Sequence, residues 1–136
     1  MKTPAKPDKP QALSDRKLSG PALRAFFNIA EKWHLSDQDK ILLLGSPGRT
    51  TFYKWKNAKE AVLPKDTLER ISYILGIYKA LHLIFSDNKN ADEWVAKPNK
   101  CPLFGGKSAL ARMLSGNVAD LYIVRRYLDT QRGIWA

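Results

Sequence analysis

The longest apolar pattern in the chain runs from Pro64 to Phe85, and it constrains the fold more than any other feature. Two apolar stripes recur along it at helical spacing. One stripe consists of Leu68, Ile71, Leu75, Tyr78 and Phe85, and the other of Ile74, Ile77, Leu81 and Ile84. Proline suits the first turn of a helix, so a helix is predicted to begin at Pro64. A helix that is apolar on two sides must be covered on both sides, so it becomes the spine of a predicted all-α fold.

The segments before this spine are expected to cover one of its sides. From Gly20 onward, apolar residues recur at three- and four-residue spacing and predict a first amphipathic helix. These residues are Leu23, Phe26, Phe27, Ala30 and Trp33. The other side of the spine is left for the C-terminal region or for a second protomer, and a homodimer built on this spare stripe is predicted.

A helix-turn-helix is predicted between the first helix and the spine. Ser36 has the residue type and position of an N-cap, with Asp39 three residues further on, and Gly45 can supply the positive φ that ends the helix. The next four residues, SPGR, form a turn. A third helix follows and begins either at Ser46, with its following proline, or at Arg49.

The third helix, within TTFYKWKNAK, carries the candidate DNA-binding residues. Phe52 and Trp55 are three residues apart and are predicted to face inward together. The outward residues are Arg49, Thr50, Thr51, Tyr53, Lys54, Lys56 and Asn57. Such donors and cations can reach base edges in the major groove and neighbouring phosphates, so a recognition helix for operator DNA is predicted. The alternative is an ordinary exposed helix, since short helical hairpins are common.

The charge of the chain favours a polyanionic partner. The sequence has 23 Lys and Arg against 13 Asp and Glu, for a net charge of +10. Residues 1–20, 21–85 and 86–136 each carry an excess of positive charge, so the excess is not confined to one tail. Nucleic acid is therefore the first partner to test, although solubility alone also explains such a balance.

Residues 1–19 are predicted to form a flexible basic arm, because they hold three prolines, five basic residues and little to bury. The region has no apolar core of a signal peptide, and no apolar run approaches the roughly 18 residues of a membrane-spanning helix. With one cysteine, Cys101, no internal disulfide is available. We expect a cytoplasmic protein without a membrane segment.

The sequence offers no enzyme signature. The two histidines and Cys101 cannot be assembled at metal-ligand spacing, so no metal and no cofactor are expected. His82 is interpreted as a satisfied packing residue and not as a ligand or base, because no second ionisable partner is placed to act with it. The GGKS motif fails as a phosphate-binding loop, because the position five before its second glycine is Cys101 instead of glycine. Gly105 and Gly106 are better explained as a tight turn before an N-cap at Ser108.

The last helix is predicted to begin after Asn117 and to end near Arg132, with Gly133 behind it as a stop. Its basic and acidic residues lie at three- and four-residue spacing. Ile134 and Trp135 would then project past the domain and bury apolar surface in a partner. The alternative is that Trp135 folds back onto the protein's own core.

The C-terminal region contains three motifs of a known family, WxxxPN, FGG and VRRYLD. They resemble the C-terminal toxin-binding domain of the Xre/MbcA/ParS antitoxins, and the helix-turn-helix with the spine is similar to their Xre-type N-terminal domain. The likeness spans about residues 20–136. It rests on Trp94, Pro98, Asn99, Phe104, Gly105, Gly106, Ser108, Leu110, Leu114, Gly116, Val124, Arg125, Arg126, Tyr127, Leu128, Asp129 and Gly133.

The resemblance implies an antitoxin of a type II toxin-antitoxin operon. Its partner would be a RES-domain toxin, an enzyme that consumes NAD or transfers ADP-ribose from it, and the antitoxin would cover the active site of that toxin. The expected toxin-binding residues are Arg125, Arg126, Asp129, Arg132, Gly133, Ile134, Trp135 and Ala136. The helix-turn-helix would repress the operon.

Three segments are therefore expected, namely a basic arm at 1–19, a DNA-binding and dimerisation domain at 20–85, and a small helical toxin-binding domain at 86–136. The long central helix joins the two domains. The alternative from a different class is a dimeric helix-turn-helix transcription regulator that has no toxin partner.

Overall fold

The computed structural model describes the backbone of residues 8–58 and 61–135 and the side chains of residues 18–58 and 61–132. The described residues form seven α-helices and two short 3-10 turns, at Trp94–Ala96 and Pro102–Phe104. The helices are α1 (Asp8–Lys32), α2 (Asp37–Leu43), α3 (Arg49–Ala58), α4 (Lys65–Ile84), α5 (Asn88–Glu93), α6 (Ala109–Met113) and α7 (Val118–Trp135). Within this part of the chain the one β-type pairing is a single bridge between Pro98 and Ser108. The predicted all-α fold is confirmed.

Helix α4 is the centre of the structure, as its two apolar stripes predict. Its N-cap is Pro64 and its C-cap is Phe85, so the expected bounds are confirmed. Helices α1 and α7 make its main packing contacts. Five of its apolar residues are buried, namely Ile71, Ile74, Ile77, Ala80 and Leu81. The core therefore consists of α4 and the apolar faces of the helices that pack against it.

Helix α7 supplies the second cover for α4, with Leu121, Val124 and Leu128 buried. The remaining apolar residues of the two stripes are partly buried and pack against the same core. The C-terminal region of the same chain thus covers the surface for which a second protomer is the predicted alternative. The expected basis for a homodimer is wrong, because no spare stripe remains on α4 among the described residues.

Helix α1 begins at Asp8, twelve residues before the predicted start at Gly20. The prediction of a flexible arm is therefore wrong for residues 8–19, and residues 1–7 lie outside the described part. Pro10 is tolerated because it falls in the first helical turn, where its missing N–H would have no partner. At the other end of this segment Ser19 is fully buried, and the backbone N–H of Leu63 donates to its hydroxyl at 3.0 Å. The rest of α1 follows the prediction: four residues of its apolar pattern are buried within the helix, and the fifth, Trp33, is buried directly after its end.

The helix-turn-helix is formed by α2, a turn at residues 44–48, and α3. The Ser36 hydroxyl accepts from the backbone N–H of Asp39 at 3.1 Å, and the Asp39 carboxylate reaches back to the N–H of Ser36, so the predicted cap is a full capping box. Gly45 has a φ of +97°, as the predicted helix stop requires. The backbone N–H of Phe52 donates to the carbonyl of Gly48 at 2.9 Å, and α3 starts at Arg49. The structure thus selects the later of the two predicted starts.

The first half of α4 holds the turn of this motif. The Thr67 hydroxyl is buried and donates to the carbonyl of Leu44 at 3.3 Å. Asp66 and Arg70 form an ion pair at 2.9 Å against Gly45, and Arg70 also donates to the carbonyl of Gly116 at 3.0 Å. Arg70 therefore touches both the turn before α3 and the turn before α7.

Two Gly→Ala substitutions are expected to differ in their effect on stability. Gly45→Ala places a Cβ at φ +97°, 2.9 Å from an Asp66 carboxylate oxygen, and should lower the free energy of unfolding by about 1–2 kcal/mol. At Gly76 a Cβ would overlap the guanidinium of Arg125, which is the far end of a long side chain. The gain in helix propensity, about 1 kcal/mol, should offset the displacement of Arg125 and leave stability nearly unchanged.

Urea denaturation of the two variants beside the wild type measures both effects. If Gly76→Ala is the more destabilising of the two, Arg125 is held rigidly between α4 and α7. The gain in helix propensity then does not offset the cost of displacing Arg125, and the prediction is wrong.

Candidate functional site

The outer face of α3 is the first candidate surface. Phe52 and Trp55 are buried, as predicted, and attach the helix to the core. Five of the seven predicted DNA-binding residues are exposed, namely Arg49, Thr50, Thr51, Lys54 and Asn57, which we call the α3 surface. It contains two cations and three hydrogen-bonding side chains and no acidic residue. These groups can donate to phosphates and read the edges of bases.

The other two predicted residues, Tyr53 and Lys56, are half-buried and bound to Asp37 at the start of α2. The Tyr53 hydroxyl donates to one carboxylate oxygen of Asp37 at 3.1 Å. The Lys56 ammonium lies 3.0 Å and 3.1 Å from the two oxygens of the same carboxylate, and Lys40 lies 3.4 Å away. Sequence reasoning did not find this cluster, because Asp37 is 16 and 19 residues from its partners on α3.

The cluster favours an ionised carboxylate. Hydrogen bonding from Lys56 is the largest influence, and it lowers the pKa of Asp37 below its ordinary value of 3.8. Hydrogen bonds from Tyr53 and Lys40 act in the same direction and, with Lys56, outweigh the partial burial that raises this pKa. The guanidinium of Arg49 lies 5.6 Å from the centre of the Tyr53 ring, at cation–π distance. Tyr53 therefore links one residue of the α3 surface to α2.

The C-terminal half of α7 is the second candidate surface. Asp129 lies between two of the predicted arginines, 3.5 Å from Arg125 and 3.7 Å from Arg132. Arg126 is exposed and donates to the Tyr122 hydroxyl at 2.9 Å. Arg126, Asp129 and Arg132, which we call the α7 surface, are exposed, and the contacts that hold them among the described residues lie within their own helix.

Arg125 differs from the other arginines of α7 because its guanidinium packs against Gly76 of α4. Its Nε atom is buried and makes no hydrogen bond within the described structure, although Asp129 stands at ion-pair distance. A glycine at position 76 leaves the space that the guanidinium occupies. The structure therefore places Arg125 in the α4–α7 contact, apart from the exposed arginines with which it was predicted.

Helix α7 continues to Trp135, so the predicted stop at Gly133 is wrong. A glycine inside a helix costs about 1 kcal/mol relative to alanine, and this cost does not by itself end the helix. Residues 133–135 are described only as helical backbone, and Ala136 lies outside the described residues. The predicted contacts of Ile134, Trp135 and Ala136 with a partner therefore stay predictions.

An apolar groove of about 280 Å³ lies beside the α7 surface. It is lined by Ile84, Phe85, Trp94, Tyr127, Leu128 and Gln131, which we call the aromatic groove. The rings of Trp94 and Tyr127 are stacked with centres 6.3 Å apart, and Phe104 meets both edge-on. The groove was not predicted as a site, although the three aromatic residues belong to the motifs of the family resemblance.

The same motifs also build the loop before α6. The Asn99 side chain accepts from the backbone N–H of Cys101 at 2.8 Å, and Gly105 and Gly106 have positive φ. Ser108 caps α6 by accepting from Ala111 at 3.0 Å, so the predicted turn and cap are confirmed. These motif residues therefore determine the shape of the loop.

Arg112 fixes this loop to α7. It donates to the carbonyl of Leu103 at 2.6 Å and to the carboxylate of Asp120 at 2.8 Å. Ser115 donates to the same carboxylate at 2.6 Å. The hydrogen bond from Ser115 is the largest influence that lowers the pKa of Asp120 below its ordinary value of 3.8, and Arg112 adds to it against partial burial.

His82 is a satisfied packing residue, as predicted, but the expectation that it lacks an ionisable partner is wrong. Its Nε2 atom lies 2.8 Å from a carboxylate oxygen of Asp92, and its Nδ1 atom lies 3.2 Å from the side-chain oxygen of Asn88. The ring also packs against Tyr78, with centres 4.2 Å apart. Because Asp92 and Asn88 belong to α5, the imidazole joins α5 to α4.

No group of three or more metal-ligating residues occurs in the part of the chain that the structure describes. Among the same residues, no helix combines the length and apolar character that crossing a membrane requires.

Comparison with known proteins assigns both surfaces to recognised domains. Residues 13–76 match the model of the antitoxin Xre-like helix-turn-helix domain, which includes the α3 surface. Residues 80–133 match the antitoxin Xre/MbcA/ParS C-terminal toxin-binding domain, which includes the aromatic groove and the α7 surface. The chain is also 56% identical over 111 residues to the uncharacterized protein y4oB of Sinorhizobium fredii. That alignment covers 82% of this chain and 84% of the relative.

The cluster around Asp120 is expected to make stability depend on pH. Because its pKa is lowered in the folded state, its contribution is present above the unfolded value of 3.8 and is lost as pH falls through the folded value. The stability difference between wild type and Asp120→Asn should therefore be constant from pH 7 to about pH 5 and should shrink below about pH 4. Urea denaturation at each pH measures it.

Asp129→Asn is the matched control, since Asp129 is on the same helix but more exposed and has longer ion pairs. It should change stability less at pH 7. A difference for Asp120→Asn that does not vary with pH would contradict the ionic role.

Proposed function

The chain belongs to the Xre/MbcA/ParS antitoxins, which join an Xre-like helix-turn-helix to a C-terminal toxin-binding domain, and from this premise we propose its partners. The toxin is a RES-domain enzyme that consumes NAD or transfers ADP-ribose from it. The antitoxin neutralises it by covering its active site, and it binds the promoter of its own operon as an autorepressor. The observation that carries the proposal is that each matched domain presents an exposed basic surface, the α3 surface in one and the α7 surface in the other, and that α4 supports both.

The toxin is proposed to bind the aromatic groove and the α7 surface. The groove offers an apolar seat for a toxin side chain, and aromatic residues commonly supply much of the energy at protein interfaces. Arg126 and Arg132 are exposed beside it and can meet acidic groups at the rim of the toxin cleft. Residues 133–136 follow directly from Arg132, and we propose that they enter the cleft.

Charge reversal on the α7 surface should weaken neutralisation. Arg126→Glu with Arg132→Glu is expected to cost about 2 kcal/mol or more of toxin binding, because both positions would become repulsive at an interface with acidic groups. The thermal midpoint should stay near that of the wild type, since both side chains are exposed. The measurements are the NAD consumption of the RES enzyme from the adjacent gene at equimolar antitoxin, and co-purification of the pair.

Lys79→Glu is the matched control, because Lys79 is exposed on α4 and outside the proposed surface. It should neutralise as the wild type does. Deletion of residues 133–136 tests the terminal segment separately and should also reduce neutralisation. Full neutralisation by both altered forms would overturn the proposed toxin surface, and the absence of a RES domain in the adjacent product would overturn the choice of toxin.

DNA binding is proposed to use the α3 surface. Helix α3 is the second helix of the helix-turn-helix, the position that enters the major groove in this class of motif. Arg49, Lys54 and Asn57 are exposed on it and have side chains that pair with bases or phosphates. One motif covers one half-site, so we propose that a dimer binds the operator, through a surface other than α4.

The double variant Arg49→Ala with Lys54→Ala should bind the operator more weakly. The loss is about 1–3 kcal/mol for each of the two side chains that hydrogen-bonds a base edge. If both side chains bind phosphates instead, the salt dependence of binding should become flatter. Helical content should not change, because both residues are exposed. Titration of DNA from directly upstream of the gene, at several salt concentrations, measures both effects. Unchanged affinity at every salt concentration would remove α3 as the recognition helix.

A further inference from the structure

We propose that Asp37 is a positioning residue for DNA recognition, which holds Tyr53 and Lys56 against α2 and thereby sets the face that α3 presents to DNA. This inference rests on the proposed DNA binding and refines it. It removes Tyr53 and Lys56 from the set of direct DNA contacts and leaves Arg49, Lys54 and Asn57 as the principal ones.

The geometry explains why one carboxylate can fix the helix. Phe52 and Trp55 are three residues apart and attach one stripe of α3 to the core. Tyr53 and Lys56 are also three residues apart, on the adjacent stripe about 100° further round the helix. Asp37 holds this second stripe with three short contacts of 3.0–3.1 Å, which use both of its oxygens. Phe52 and Trp55 determine which side of this ten-residue helix faces inward, and the second attached stripe restricts its rotation about the axis more closely.

The contacts with Asp37 also occupy the Lys56 ammonium and the Tyr53 hydroxyl, the two groups that would otherwise bind DNA. The Lys56 ammonium is bound by both oxygens of Asp37 at 3.0 Å and 3.1 Å, while Lys40 lies further away at 3.4 Å, so most of the charge of Lys56 is compensated within the protein. The Tyr53 hydroxyl donates a hydrogen bond to the same carboxylate. A compensated cation releases few counterions from DNA. Lys54, by contrast, is exposed, has no ion pair in the described structure and keeps its full charge for a phosphate.

The cluster extends to the DNA-facing side through Arg49. Its guanidinium lies over the Tyr53 ring, and the ammonium of Lys56 lies at the same distance of 5.6 Å from the ring centre. A ring held by Asp37 therefore gives Arg49 a fixed platform. The lowered pKa of Asp37 is consistent with a carboxylate that stays charged and keeps this arrangement at neutral pH.

Two lysine variants give the direct test. Lys54→Met and Lys56→Met each remove one positive charge from α3, and binding is measured to duplex DNA from directly upstream of the gene over a range of salt concentrations. Lys54→Met should lower the salt-dependence slope by about 0.9, the value for one phosphate contact. Lys56→Met should leave the slope unchanged but reduce the preference for the upstream duplex over a scrambled duplex. Equal reductions in slope for the two variants would overturn the inference.

A second pair isolates Asp37. Asp37→Asn and Asp39→Asn each remove one negative charge from the first turn of α2, but the structure gives only Asp37 a contact with α3. Asp37→Asn should reduce the preference for the upstream duplex about tenfold and steepen the salt slope, because the released Lys56 becomes available to a phosphate. Asp39→Asn should change the duplex preference and the salt slope only as far as the loss of its charge does.

The outcomes distinguish a failure of the positioning role of Asp37 from a failure of the proposed DNA binding. If the wild type shows no preference for the upstream duplex, the proposed DNA binding fails and the inference fails with it. If the wild type discriminates and Asp37→Asn discriminates equally well, only the positioning role fails. Thermal midpoints recorded for all variants show which effects come from unfolding, and Lys56→Met provides the answer should Asp37→Asn not fold.

Discussion

The burial of α4 on two sides is the constraint on which the rest of the structure depends. A helix with apolar stripes on both sides is stable in water only when other elements cover both, and here α1 and α7 do so. This arrangement fixes where the functional surfaces lie. Thr67 and the Asp66–Arg70 pair on α4 hold the turn before α3, while the last turn of α4 contributes Ile84 to the aromatic groove.

Local patterns were sufficient for the parts of the fold that depend on neighbouring residues. The capping box at Ser36, the positive φ of Gly45 and the bounds of α4 all follow from rules that act over a few positions. The exposed α3 surface follows as well, because Phe52 and Trp55 determine which side of the helix faces inward.

The remaining features depend on contacts between distant residues. The start of α1 was missed because prolines and charges indicate an arm, whereas the buried hydrogen bond between Ser19 and Leu63 joins residues 44 positions apart. The binding of Tyr53 and Lys56 by Asp37 was missed for the same reason. The periodicity of α7 could not show that Arg125 turns toward α4, since this contact depends on the small residue at Gly76.

The two matched domains meet inside α4, because one match ends at residue 76 and the other begins at residue 80 of a helix that runs from Lys65 to Ile84. Neither domain match contains the whole helix. The apolar residues of α4 are covered by α1 from the first domain and by α7 from the second, so each domain depends on the other for a buried core. Exchange of the toxin-binding part between family members is therefore restricted. A recombinant must inherit an α7 whose buried face fits both halves of the recipient helix, so changes of toxin partner are easier at exposed positions than by replacement of a module.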